Sequence, residues 1–235
     1  KLPAVETLCS TTVICSDKTG TLTKNEMSVR EVYVDGKSIN VTGEGYNPVG
    51  EFYLGNKRVD TRSSKSLEQI LRICVLCNNA KLENSEVIGD PTEGALLVMA
   101  EKGGLDLGKT YGGFKLIHEL PFDSERKRMT AINNVEGKKI AHTKGAVENI
   151  LKICDRVYEN GKVKKLTEEK KKEILRENNK MAENALRVLA FSYRELEKKT
   201  GFKINEVERN MIFVGLAGMI DPPRPEVKDA IKKCK

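Results

Sequence analysis

Apolar residues recur with two different periods along this chain. In PTEGALLVMAEK (Pro91 to Lys102), Ala95, Leu96, Met99 and Ala100 fall at helical spacing behind a proline suited to a first turn, which predicts a helix. LEQILRICVLCNN (Leu67 to Asn79) shows the same spacing throughout. Further on, Phe114, Leu116, His118 and Leu120 alternate with Lys115, Ile117 and Glu119, predicting a strand that Pro121 ends. ALRVLAFSYRE (Ala185 to Glu195) alternates between two arginines, Arg187 and Arg194, and HTKGAVEN (His142 to Asn149) predicts a strand ending at a glycine with a helix after it. Val13, Ile14 and Cys15 form a short unbroken apolar run, the pattern of a strand buried on both faces, which stops at Ser16-Asp17 before a glycine turn.

These elements test the most conspicuous motif. GGLDLGKT (Gly103 to Thr110) satisfies the phosphate-binding pattern G-x-x-x-x-G-K-[ST], whose chemistry needs a buried strand before the glycines and a helix opening at the lysine. Here a predicted helix precedes it and a predicted strand follows it. The stretch reads instead as a glycine-rich helix exit followed by a loop.

Composition narrows the classes. The 235 residues, 39% hydrophobic and 32% charged, suffice for a real core, as one large domain or one domain with part of another. No apolar run reaches bilayer length, and KLPAVETLC lacks the layout of a signal peptide, so a soluble chain is expected. The net charge of +7 owes much to KVKKLTEEKKKE (Lys162 to Glu173), where acids interleave and a solvated helix face is expected. Aromatics are 5% of residues and do not interleave with the basic runs, which argues against a nucleic-acid partner. Six cysteines include one C-x-x-C, Cys74 and Cys77, with no second pair at ligand spacing; on a helix they read as core thiols, suited to a reducing compartment.

The chemistry lies in TTVICSDKTGTLT (Thr11 to Thr23). Carboxyl ends of parallel strands are where open α/β sheets bind ligands, so Asp17 would project into a site. Lys18, Thr19, Gly20 and Thr21 supply hydroxyls and backbone N–H groups able to surround a phosphoryl group. A carboxylate beside such a cradle can be a nucleophile, a metal ligand or both, whereas a lone Asp-x-Thr more often caps a turn.

DKTGTLT resembles the phosphorylation motif of P-type ATPases, ion pumps of the haloacid-dehalogenase fold group, and LPAVETL before it with TKNEMSV after it resemble the calcium-pump branch. The resemblance implies an α/β architecture: an α+β nucleotide-binding domain, a mostly antiparallel sheet flanked by helices, inserted into a truncated Rossmann-like phosphorylation domain. Expected boundaries are 1–25 for the first phosphorylation segment, 26–220 for the nucleotide-binding domain and 221–235 for the return hinge. It further implies Asp17, Lys18 and Thr19 as catalytic residues, with Asp17 attacking ATP and with Asp17 and Thr19 contacting Mg2+. Cys9 stands where the family commonly has glycine.

Four further stretches resemble the family's ATP site. LPFDSERKRMT would place Phe122 against the base and Lys127 near the nucleotide; Ser124 stands where animal calcium pumps carry arginine, a loss that Arg126 could offset. HTKGAVEN would put Lys144 beneath the base, with Val147 in place of the usual proline. GDPTEGALL would bring Glu93 to the adenine amino group with Thr92 beside it, and ALRVLAFSYRE would bring Arg187 to the phosphates and Leu189 near the base. DPPRPEV (Asp221 to Val227) matches the hinge's return strand, expected to pair near Asn25 to Ser28.

The expected protein is therefore a cytoplasmic portion of an integral membrane pump. Its partners would be ATP, the remaining phosphorylation, actuator and transmembrane domains, and, in the intact pump, a transported cation, Ca2+ on the flanking residues or another. The isolated chain is expected to bind ATP without turnover. A soluble haloacid-dehalogenase-type phosphatase with a large cap is the alternative from another class, and an interaction module the third; a phosphatase cap has no reason to combine Glu93, Phe122, Lys127, Lys144 and Arg187.

Overall fold

The computed structural model describes residues 12–83, 85–197 and 201–234. Contacts divide the chain into one unit that takes it up to Glu26 and again from Asp221, and a second, larger unit, Met27–Ile220.

In the larger unit thirteen strands are described. The first four are β1 (Ser28–Val34), β2 (Lys37–Val41), β3 (Phe52–Leu54) and β4 (Lys57–Arg58), and a small separate hairpin holds β5 (Lys81–Glu83) and β6 (Glu86–Ile88). The middle of the chain gives β7 (Lys115–Asp123), β8 (Arg128–Val135), β9 (Lys138–Gly145), β10 (Cys154–Glu159) and β11 (Lys162–Lys165); β12 (Arg187–Leu196) and β13 (Met211–Ile220) come last. Among the described residues the main sheet runs β4-β3-β2-β1-β13-β12-β9-β8-β7, all antiparallel; β10 adds a parallel pairing to one end of β13 and carries β11 on its other side.

The sheet is the middle of three layers. One face packs under α1 (Lys65–Leu76) and α2 (Pro91–Lys102), the other under α4 (Val147–Ile153) and α5 (Glu168–Glu183), with a short α3 (Leu107–Gly113) leading into β7. Strand alternation, shifted once by the bulge between Phe213 and Gly215, divides β13 between them: Val214, Ala217 and Met219 join the first core, and Met211, Phe213 and Leu216 the second. MIFVGLAGMI is accordingly apolar almost without interruption, as a strand covered on both faces must be. Both of α1's cysteines, Cys74 within it and Cys77 at its C-cap, are buried and free, and burial pushes the Cys77 thiol up to about 11.

Several expectations change. Thr12 to Asp17 form no strand; Val13 and Ile14 are 71% and 66% exposed, because a single apolar run acquires strand structure only through neighbours, and none pairs it among the described residues. Pro121 does not end β7, which continues to Asp123; β7 is the outermost strand, where a missing N–H costs little. Its edge position also leaves Leu116 and Ile117 exposed despite their alternation. GGLDLGKT is not followed by plain loop: after Gly103 and Gly104 (φ +81°) close α2, Asp106 caps α3 by accepting from the Lys109 N–H. That carboxylate stands at the helix start where a phosphate would be bound, and the preceding element is a helix. The mixed-charge run from Lys162 divides into β11 and the start of α5, which Thr167 caps.

In the smaller unit, Lys18–Leu22 form a tight turn and the returning chain pairs with Leu22 to Lys24, short of the expected Asn25 to Ser28. Thr23 bridges Pro223, Lys24 N–H donates to the Pro222 carbonyl, and Arg224 N–H donates to that of Leu22. A last helix, α7, spans Val227–Cys234, following a one-turn α6 (Ile204–Val207) in the larger unit.

His142 in β9 is 1% exposed, with its Nδ1 2.9 Å from the Asn133 Oδ1, and burial together with Arg72 lowers its pKa to about 3. The unfolded chain therefore takes up this proton first. Stability from this residue is complete above about pH 6.5 and is lost as pH falls toward 3, about 2 kcal/mol between pH 7 and pH 5. Urea unfolding across that window should show this loss, and His142→Gln should flatten it.

Candidate functional site

Strand register assembles a group of chemically useful side chains. β8 and β9 pair with Arg128 opposite Gly145 and Met129 opposite Lys144, and β12 sets Ala190 beside Gly145 on the other side. Gly145 is required there: a Cβ would lie 2.4 Å from the Lys127 carbonyl oxygen, a collision with backbone. The same carbonyl accepts from the Ala146 N–H at 2.9 Å, so the end of β9 and the turn before β8 touch directly. α4 begins at Val147, and Ala146 gives it no side-chain cap.

Around this junction lies a cleft of about 660 Å³, within the range of small-molecule sites. Met129, Ala146, Val188 and Leu189 give it an apolar floor, and Leu189 also packs on the first core. Its inner wall is an ion pair, Lys144 Nζ to Glu93 Oε1 at 2.7 Å, with side chains only 6% and 15% exposed. Glu93 sits in the first turn of α2, behind the Asp90 cap, and its other oxygen accepts from the Asn79 N–H at 3.0 Å. Asn78 holds the same turn by donating to the Glu93 carbonyl.

The rim is exposed and carries the remaining cations. Arg187 opens β12 and donates to the Thr92 hydroxyl at 2.9 Å, linking two walls. Phe122 is 65% exposed and lies where β7 gains a residue on β8, between the Leu120–Thr130 and Asp123–Arg128 pairs. A bulge of this kind redirects a side chain, and Pro121, with no N–H for the ladder, helps make it. Lys127 follows in the turn at φ +50°. Ser124 lines the cleft here too. Arg126 does not take over from the missing arginine: its guanidinium turns inward to Glu208 and the Pro121 carbonyl.

Thr92, Glu93, Phe122, Lys127, Lys144, Arg187 and Leu189 thus border one cleft. Asp17, Lys18 and Thr19 belong to the smaller unit. There Asp17 is exposed and its Oδ1 accepts from the Lys18 N–H at 2.7 Å, while Gly20 turns the chain at φ +76°. The turn is fastened from the returning segment: the Thr23 hydroxyl donates to Asp221 at 2.5 Å, and Arg224 donates to the carbonyls of Thr23 and Gly20. Among the described residues no three His, Cys, Asp or Glu side chains gather as a metal site; Asp17 precedes this turn, and Asp221 is tied to Thr23.

Residues 66–226 match the family described as P-type ATPase, cytoplasmic domain N. The chain belongs to that family. Over its whole length it is 42% identical to the calcium-transporting ATPase of Bacillus subtilis and 40% identical to the cation-transporting ATPase pma1 of Synechocystis, covering 27% of each. It is 38% identical, over 98% of its length, to the human calcium-transporting ATPase type 2C member 1, of which it covers 24%. The chain spans about a quarter of the length of these relatives. Among the described residues of this P-type ATPase segment no helix is long and apolar enough to cross a membrane.

Sequence reasoning missed the supports of this domain N cleft. Asn78 and Asn79 follow α1 as ordinary turn residues, and only the fold shows that they orient Glu93. Asp90 was recognisable, since an Asp ahead of Pro-Thr-Glu is a capping pattern. Breaking the inner ion pair should be costly because it strands a buried ammonium: Glu93→Gln is expected to lower stability by about 3 kcal/mol. Adding Lys144→Met should recover part of that loss, a non-additivity readable from denaturant midpoints of the four proteins.

Proposed function

We propose that this chain is the ATP-binding portion of a cation-transporting P-type ATPase, with the adenine entering the cleft between Phe122, Lys144 and Glu93. The observation that carries the reading is the gradation of that cleft: an apolar floor, a buried carboxylate–ammonium pair inside, an exposed aromatic at the rim, and Lys127 and Arg187 at the mouth. Such an order suits a planar base with an anionic tail. Glu93 accepts from the base's amino group, Phe122 stacks on its face, and Lys127 and Arg187 meet the phosphates. Arg187 leaves Thr92 to do so, exchanging a neutral partner for a charged one.

In the intact pump Asp17 is the nucleophile. A carboxylate oxygen bonds the γ-phosphorus while the bond to the β–γ bridging oxygen breaks, leaving ADP and an aspartyl phosphate. Lys18 and Thr19 hold the transferred group, and Asp17 with the Thr19 carbonyl would contribute to a Mg2+ site that supplies charge neutralisation when occupied. The fit of the described residues to that ion is partial, one carboxylate at an exposed turn, and Mg2+ commonly draws its other ligands from phosphates and water. We expect the chain by itself to bind ATP without turning it over, because a single carboxylate at an exposed turn leaves in-line positioning and metal charge neutralisation incomplete. The transported ion is Ca2+ on the names of two of the three relatives above. The actuator, transmembrane and remaining phosphorylation domains complete the pump, and this portion is cytoplasmic.

ATP titrated into the 235-residue chain should shift the amides of Glu93, Lys144 and Gly145; shifts centred on Gly103 to Thr110 would instead assign the nucleotide to GGLDLGKT. Phe122→Ala should weaken ATP by about 1–3 kcal/mol, the usual worth of one stacked base. Being 65% exposed, Phe122 should leave unfolding within about 0.5 kcal/mol of wild type when replaced. With γ-labelled ATP and magnesium, label should appear on Asp17 in the full-length pump and vanish in Asp17→Asn. None should appear on the isolated chain.

A further inference from the structure

Phe122 is mostly exposed, so no core packing sets its direction; the backbone on either side of it must. That backbone is fastened by the turn's own bonds, with the Lys127 N–H donating to the Asp123 carbonyl at 2.7 Å, and through Arg126. One end of its guanidinium donates to the Pro121 carbonyl at 2.6 Å, and its own N–H and carbonyl are taken by Asp123 Oδ1 at 2.8 Å and by the Asn149 amide at 2.9 Å. The other end reaches Glu208 Oε1 at 2.5 Å.

Glu208 comes from the segment between α6 and β13, with a side chain fully shielded from solvent. Its second oxygen accepts from Arg128 Nε at 2.7 Å, and the Thr130 hydroxyl donates to the first at 2.9 Å. Arg126 and Arg128 flank Lys127, which stands in the left-handed region and lines the cleft. One buried carboxylate thus grips both neighbours of the rim lysine and, through Arg126, the residue before the rim aromatic. A carboxylate shielded from solvent and held by three partners does not rotate away cheaply, so the grip is fixed before any ligand arrives.

We propose that Glu208 is a positioning residue for nucleotide binding, acting through Arg126 to hold the Pro121–Lys127 turn in the conformation that presents Phe122 and Lys127. It touches no nucleotide itself. The inference rests on the reading of the cleft as the adenine site.

The ligand-free arm of the test uses the 235-residue chain with Glu208→Gln and, should that variant fold poorly, Arg126→Lys, which keeps the charge and loses the fork. Either should shift and broaden the amides of Phe122 to Lys127 while those of Thr92 and Glu93 stay in place; an unchanged turn would overturn the proposal. In the second arm ATP affinity is measured in a cycle with Phe122→Ala. Glu208→Gln should weaken ATP about tenfold in the wild-type background and by much less once Phe122 is gone, since coupled residues are non-additive. Equal losses in both backgrounds would mean general destabilisation and would refute a positioning role. A turn that loosens while Phe122→Ala leaves ATP affinity untouched would instead refute the adenine site, and with it the function of the clamp in binding.

Discussion

The pairing of β8 with β9 is the constraint from which the cleft follows. Because side chains alternate faces along a strand, one register puts Met129 and Lys144 together and sets Gly145 against the turn carrying Lys127; a slip of one residue would send each to the opposite layer. The register is held from within by the cross-strand contact of the Thr130 and Thr143 hydroxyls at 2.8 Å, both wholly buried, and by the close approach that only a glycine permits at position 145. β12 then adds Arg187 to Leu189 along the same wall.

Two carboxylates, one half-buried and one fully buried, serve this wall in different ways. Glu93 shares its charge with Lys144 and keeps some solvent access, so it is both a support and a group available to a ligand. Glu208 has no access at all, and every partner it holds is another part of the chain. Burying charge is expensive unless it is paired and hydrogen-bonded, and both sites meet that condition. The difference in exposure separates a group that can meet a ligand from one that can only arrange others.

Sequence made much of this legible where chemistry is local. The gathering of Glu93, Phe122, Lys127, Lys144 and Arg187 at one cleft agrees with short motifs that resemble a known family, and α2 was legible through its proline, its periodicity and its glycine exit. Strands that depend on distant partners were harder: Val13 to Cys15 has the composition of a buried strand, yet composition cannot supply a neighbour. Pro121 looked like a terminus because the sequence does not say which strand lies at an edge. Glu208 was invisible in NEVERN, one acid among many charged residues, until folding placed it against two arginines that are 80 and 82 positions away in the chain.

The edge that tolerates Pro121 has a further consequence. An outermost strand exposes unpaired amides and carbonyls to which a second molecule could add its own strand, the first step in uncontrolled association. β7 obstructs that approach with a proline, two departures from regular pairing and charges at Lys115, Glu119 and Asp123. The irregularity that turns Phe122 toward the cleft therefore also ends the sheet, and a protein so rich in antiparallel structure is kept from templating its own aggregation along this border.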